Sequence, residues 1–310
     1  MAAAKRPYYL SLGPFVPWRG GPHPCDWAGR FGRKAPLELE IGFGNGETLV
    51  GRAAEFPERD FVGIELMWES VKRALRRIAK GGLTNVALLE APAHMVLEWA
   101  FAPRSIDRVL CLFPCPWPKE RHERNRLFGT PFLRLMNSRL EDGGEAMVVT
   151  DFLPYRDWLR RQIPGTGFEA AEREIPARHG TKYERKWSEL GQDRFFEILL
   201  TKREHVGVPP REGREMKIHT LDRFDPSRFD PKGVSGEPTV RFKEFLYDPA
   251  RRKGMVRVFV GEEGLRQEFW IEIVEEEGGA WKVRPGHGCS MLPTAGAQRA
   301  LDLVKEWAGE

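Results

Sequence analysis

Short apolar runs, each broken by glycine, proline or charge, punctuate the first two thirds of this chain. Leu37-Glu38-Leu39-Glu40-Ile41 reads as a strand ending on the glycine-rich GFGNG. After a turn over Phe56 to Arg59, Phe61-Val62-Gly63-Ile64-Glu65 reads as a second. Val86 to Leu89, Ile106 to Phe113, Ala146 to Thr150, Phe168 to Ile175 and Phe195 to Leu200 complete the set. From Met67 to about Lys80, Met67, Val71, Ala74, Leu75 and Ile78 fall on one side of a helix. Lys72, Arg73, Arg76, Arg77 and Lys80 fall on the other, the period of an amphipathic helix. That basic side suits RNA phosphates and a solvated face equally well. A further helix is expected over roughly 128–140. Strands alternating with helices predict an α/β fold, a mostly parallel sheet with helices on both faces.

The flanks read differently. Residues 1–35 are rich in Gly, Pro, Arg and aromatics and read as an N-terminal arm. Its aromatics either stack on bases or, the favoured reading, pin the arm to its own domain. The α/β domain is expected over 36–202. Arg203 to Arg214 reads as a linker, and 203–310 as a small α+β domain of open role. In it DRFDPSRFDP repeats one phrase, read as two successive turns. Val240 to Tyr247, Met255 to Val260, Phe269 to Val274 and Ala280 to Val283 read as hairpin strands. Ala300, Leu301, Val304 and Trp307 form a helical stripe. Nothing in this part points to catalysis.

Charge changes the picture slightly. Residues 1–202 carry 31 Lys/Arg and 26 Asp/Glu, and residues 203–310 carry 18 and 19. A net +5 followed by −1 permits a nucleic-acid partner without demanding one. The opening MAAAKRPYYLSLG lacks the apolar core of a secretory signal, and no run is long enough to span a bilayer. The expectation is a cytoplasmic protein without membrane contact. Cys25, Cys111, Cys115 and Cys289 show no paired metal-ligand spacing, so no metal is expected and free thiols are. His287-Gly288-Cys289 reads as a turn. Monomer and homodimer both stay open.

Two stretches carry candidate chemistry. Gly42, Gly44 and Gly46 directly follow a strand, where glycines allow a sharp turn and close approach of a ligand to the backbone. The last glycine comes two residues after the middle one, so the dinucleotide spacing fails. Glu40 ahead of the loop suits a cationic ligand better than a pyrophosphate. Glu65 closes the second strand, where an acid can hold both ribose hydroxyls. These features favour S-adenosylmethionine over a plain structural turn. In the second stretch, VLCLFPCPWPKERHERNRLF, prolines stop a buried strand and stiffen a loop at the sheet's carboxyl edge. Trp117 offers a face for a base. Lys119, Arg121, Arg124 and Arg126 could neutralise phosphates, and His122 could add a hydrogen bond. The bland alternative is a solvated helix start.

Taken together, LEIGFGNG, FVGIE, LFPCPWPKERH, VVTD and GTKYE resemble the bacterial tRNA (guanine-N7-)-methyltransferase family over about residues 36–202. The 203–310 part is outside the resemblance. The resemblance implies a Rossmann-like class I methyltransferase sheet, S-adenosylmethionine as donor, and a variable-loop guanine of tRNA as acceptor. It implies cofactor contacts at Glu40 and Glu65, and substrate contacts at Lys119, Asp151 and Thr181-Lys182-Tyr183-Glu184. Two positions depart from the pattern. Cys115 stands where the family has Asp in its Phe-Pro-Asp-Pro-Trp motif, and Pro92 stands where an acidic cofactor contact is usual, with Glu90 the nearest acid.

Guanine N7 carries a free lone pair and needs no base, so alignment can supply much of the acceleration. The expectation is weakened guanine positioning at Cys115, with Asp151 or Glu184 able to take over. Pro92 points to lower cofactor affinity, about 1 kcal/mol for one lost hydrogen bond. Cys115 as a nucleophile is disfavoured, because N7 methylation needs no covalent enzyme intermediate. The rival readings are a non-catalytic or weakened tRNA-binding protein and a methyltransferase with a changed RNA acceptor.

Overall fold

β1 (Leu37–Ile41) is buried along its whole length, so it can only be an inner strand covered on both faces. The computed structural model, which describes residues 10–262 and 264–309, places it third in a seven-stranded sheet. The chain divides between Arg211 and Glu212 into two compact units, with Arg19–Pro22 grouped in the second.

In the first unit, α1 (Trp27–Phe31) precedes β1, and α2 (Glu47–Glu55) joins it to β2 (Asp60–Glu65). Next come α3 (Trp68–Gly81), β3 (Val86–Glu90), α4 (Ala93–Trp99) and β4 (Ile106–Leu112). α5 (Thr130–Arg139), β5 (Leu140–Thr150), α6 (Leu153–Gln162), β6 (Phe168–Pro176), α7 (Lys182–Glu189) and β7 (Arg194–Lys202) complete it. The strand order is β3-β2-β1-β4-β5-β7-β6. β3, β2, β1, β4 and β5 pair in parallel, and β7 runs antiparallel to both neighbours. This is the mostly parallel α/β sheet expected from the sequence. The order reverses between β1 and β4, and ligands in open α/β sheets bind beyond the strand ends at such a switch point.

α3 buries Val71, Ala74, Leu75 and Ile78, the stripe read from the sequence, and stops at Gly82 in the left-handed region. Five helices of this unit, α1, α2, α4, α6 and α7, escaped the sequence reading. α2 buries only Leu49 and Ala53, a weak stripe. α4 buries five of its seven residues, and its polar face is only His94 and Glu98, too short to give a period. α6 has a proline in its first turn and carries four charges in ten residues. Residues 1–9 of the arm lie outside the described residues. In the rest, Phe15 bridges in parallel to Leu88 at the sheet edge. Trp27 donates its indole N–H to the Ala100 carbonyl at 3.0 Å and stacks on Phe101 at 5.1 Å. These aromatics pack on their own unit.

The stretch read as a linker belongs to the first unit up to Arg211. Asn137 accepts from the Val206 N–H at 2.8 Å, and fully buried Arg139 donates to the carbonyls of Val208 and Leu97, each at 2.7 Å. Buried polar groups this well paired hold their segment in place.

The second unit is a five-stranded antiparallel sheet of order β8-β12-β11-β10-β9. Its elements are β8 (His219–Leu221), β9 (Thr239–Asp248), β10 (Lys253–Glu262), β11 (Leu265–Glu275), β12 (Trp281–Pro285) and α8 (Ala295–Gly309). Val256, Val258 and Val260 of β10 share a core with Ala300, Leu301 and Val304 of α8. Phe224 and Phe229 of the repeated phrase are both buried and meet at 5.5 Å. The repeat therefore supplies core anchors as well as turns. β8, three residues long, left no pattern to read.

Candidate cofactor and acceptor site

A cleft of about 290 Å³ opens where β1, β2 and β4 end, lined by Glu40, Gly44, Glu65, Phe113, Thr181 and Tyr183 among others. Gly42, Gly44 and Gly46 all have positive φ, at 72°, 55° and 73°, which glycine adopts without a Cβ penalty. A Cβ on Gly46 would meet that of Ala74 at 2.8 Å, whereas none of the first two would touch anything within 4 Å. Gly46 thus packs α2 on α3, and the first two leave an open cradle.

Glu38 and Glu40 point the same way from β1, two residues apart. Glu38 is satisfied by a bidentate pair with Arg52, at 2.5 and 2.8 Å. Glu40 is 4% exposed, and its Oε2 has no hydrogen-bond partner among the described residues. Burial, then the Glu38 charge, pushes its carboxyl up to about 8; Arg52 opposes this and Glu65 adds to it. A buried carboxyl with an idle oxygen is costly, and a cation in the cleft would relieve the cost. An ammonium group on the ligand fits that need. Glu65 accepts from the N–H groups of Gly44 (2.9 Å), Leu66 (2.7 Å) and Met67 (3.2 Å). A carboxylate has about four acceptor positions, so one stays open for a ribose hydroxyl. The residues present therefore fit S-adenosylmethionine. Pro92 begins α4 and lies outside the cleft lining. Glu90 pairs in register with Glu65 across β2 and β3.

The acceptor side is built by the loop after β4 and by α7. Phe113 and Trp117 take positive φ, 56° and 43°, a conformation that costs about 1–3 kcal/mol and clusters at functional sites. Arg126 is 6% exposed and sits over the rings of Tyr155 and Trp158. It donates to the carbonyls of Pro116 (2.8 Å) and Trp117 (3.2 Å) and pairs with Glu123. It holds the loop and is not a phosphate ligand, which corrects the expectation from sequence. Trp117 meets His122 edge to face at 5.9 Å, while Cys115, Lys119 and Arg121 are exposed. Asp151 is half-buried just past β5. Burial raises its carboxyl, with its own backbone N–H and Lys186 opposing.

Thr181 caps α7 by accepting from the Glu184 N–H at 3.1 Å, and Thr181 and Tyr183 line the cleft. The side chain of Lys182 lies outside the described parts. Glu184 is 1% exposed and its carboxylate accepts from the N–H groups of Arg178, His179 and Thr181 at 3.0–3.1 Å. It is committed to folding the loop before α7 and is not free to receive a guanine edge. Sequence reasoning missed Glu47, which lines the cleft and accepts from Arg77 at 2.8 Å and Arg185 at 2.9 Å. Its position right after the last glycine, opening a helix, was the available signal. Among the described residues no group of three His, Cys, Asp or Glu is placed to hold a metal. None of the helices there is long and apolar enough to cross a membrane.

A family model described as "Putative methyltransferase" matches residues 34–196. A Chlorobium phaeobacteroides protein named tRNA (guanine-N(7)-)-methyltransferase is 46% identical over 170 residues, covering 55% of this chain and 83% of its own. Relatives of the same name from Thermotoga maritima and Thermus thermophilus are 30% and 34% identical. They cover 91% and 87% of this chain, and 92% and 89% of their own. Matches of that length run beyond residue 202 and take in part of the second unit, which corrects the expectation that 203–310 is outside the resemblance.

Proposed function

The chain belongs to the tRNA (guanine-N(7)-)-methyltransferase family, and from that premise we propose that it methylates N7 of a variable-loop guanine in tRNA. S-adenosylmethionine supplies, when bound, an electrophilic methyl on a sulfonium centre. The observation that carries the reading is the idle, buried Glu40 oxygen beside an open glycine cradle. Glu40 receives the ligand's ammonium group, Gly42 and Gly44 let it lie against the backbone, and the last acceptor position of Glu65 takes a ribose hydroxyl.

On the acceptor side the guanine brings its own lone pair, so no residue must remove a proton. The chain's work is to align the base and exclude water. Trp117 and Tyr183 offer ring faces, and Lys119, Arg121 and His122 meet the sugar-phosphate. Thr181 faces the base edge, and Glu184 positions Thr181 through the cap. Methylation leaves a cationic ring. Asp151, past β5 beside the β4 loop, is the carboxylate we assign to steady that charge. Cys115, a weak hydrogen-bond partner, leaves that task to Asp151. The four cysteines are unbridged, which suits a reducing cytoplasm.

Asp151→Asn tests the acceptor side. It should lower kcat on tRNA about tenfold, with cofactor affinity by calorimetry unchanged. Unchanged kcat would remove Asp151 from the mechanism.

A further inference from the structure

A second concavity, of about 790 Å³, lies between α4, α5 and the turn Glu120–Asn125, and shares no lining residue with the cofactor cleft. Leu127, Phe132 and Leu135 contribute apolar surface, and His94, Arg124 and Arg134 bring polar or cationic groups to it. The carboxylate in its wall, Glu98, is paired with Arg211 at 3.1 Å. Buried Arg126 is consumed by Glu123 and loop carbonyls. Exposed Arg124 and Arg134 have no hydrogen-bond, ion-pair or ring partner among the described residues, and neither do Lys119 and Arg121 just before them. The wall is therefore electropositive by default, its one acid neutralised and its exposed guanidinium groups idle.

We propose that this groove seats the sugar-phosphate backbone of the RNA acceptor, which rests on reading the chain as a tRNA methyltransferase. Guanidinium forks match phosphate geometry, and a concave, single-sign wall concentrates its field. The polypeptide leads there directly, from Trp117 and Lys119 at the site mouth through Arg124 to Arg134 on α5. The competing surface is the basic face of α3, and it is largely spent. Lys72 pairs with Glu69 at 2.5 Å, Arg73 donates to Asn45 at 3.2 Å, and Arg77 pairs with Glu47 at 2.8 Å.

The test is tRNA binding by the full-length protein across a sodium chloride series. The double variant Arg124→Gln, Arg134→Gln is compared with Arg76→Gln, Lys80→Gln on α3. Each lost phosphate contact should flatten the slope of log K against log salt by about 0.7–0.9. The groove variant should thus lose roughly 1.5 from the slope and keep cofactor affinity and its circular dichroism. The α3 variant should keep the wild-type slope. An unchanged slope in the folded groove variant, or a loss confined to the α3 variant, overturns the proposal. Absence of tRNA binding by the unaltered protein overturns it together with the functional reading. A flattened slope without methyl transfer by the unaltered protein supports the groove and counts against the functional reading alone.

Discussion

Glu40 sets the pH behaviour of the cofactor site. Its folded carboxyl titrates at about 8, while in the unfolded chain it titrates near the ordinary carboxylate value, about 4.3. Between those values the native state binds more protons than the unfolded one. This group's contribution to stability is therefore full below the unfolded value and falls as pH rises through the window. A cationic ligand reverses the preference by favouring the carboxylate. Binding should then release a proton near neutrality, and affinity should rise with pH until about 8 and level off. Calorimetry in buffers of different ionisation enthalpy checks this. In Glu40→Gln the proton release should vanish, with affinity down about tenfold for a lost charged hydrogen bond. Cys115 makes the second prediction at this scale. Cys115→Asp gives the exposed loop the family's carboxylate and should raise kcat/KM for tRNA about fivefold, the worth of roughly 1 kcal/mol. A drop in steady-state kcat/KM would show that the thiol is preferred. Much of this was legible in the chain. Glu40, Glu65 and the glycines carry a distinctive spacing. The inward commitment of Arg126 and Glu184 was not, because a charged residue reads the same in sequence whether it meets solvent or backbone.

Between elements, α7 is tied across the cofactor loop by one ion pair, Arg185 to Glu47, with side chains 55% and 26% exposed. A pair that open contributes at most about 1 kcal/mol. Arg185→Ala should speed cofactor release about threefold in stopped-flow displacement, and Arg185→Lys should restore most of the loss. An unchanged off-rate would mean that α7 is held by the packing of Trp187 and Tyr183 and not by this pair. Strands were the easier elements to read, since runs such as Phe61 to Glu65 lie within a doubly covered sheet and stay apolar. α2, α4 and α6 are short, and burial, proline or charge erased their period. α7 belongs with them: its fold depends on the Thr181–Glu184 cap, which GTKYE displays, but its place against Glu47 is a tertiary fact.

For the whole molecule, the sheet order gives the site its place, because the reversal between β1 and β4 opens the edge at which glycine loop, β4 loop and α7 converge. That order and the antiparallel β7 are tertiary facts, whereas the mostly parallel sheet was legible as a strand–helix alternation. The division at Arg211 was less so: the stretch after Lys202 has a linker's composition, yet Asn137 and Arg139 fasten it down. Cofactor cleft, β4 loop and α7 together serve methyl transfer to N7 of a tRNA guanine in the reading proposed above, with Cys115 in place of the family's Asp. The most direct test incubates purified protein with unmodified tRNA and radiolabelled S-adenosylmethionine, then maps the labelled nucleoside. Label is expected in 7-methylguanosine from the variable loop. No label, with an active family enzyme as positive control, or label in another nucleoside, would contradict it.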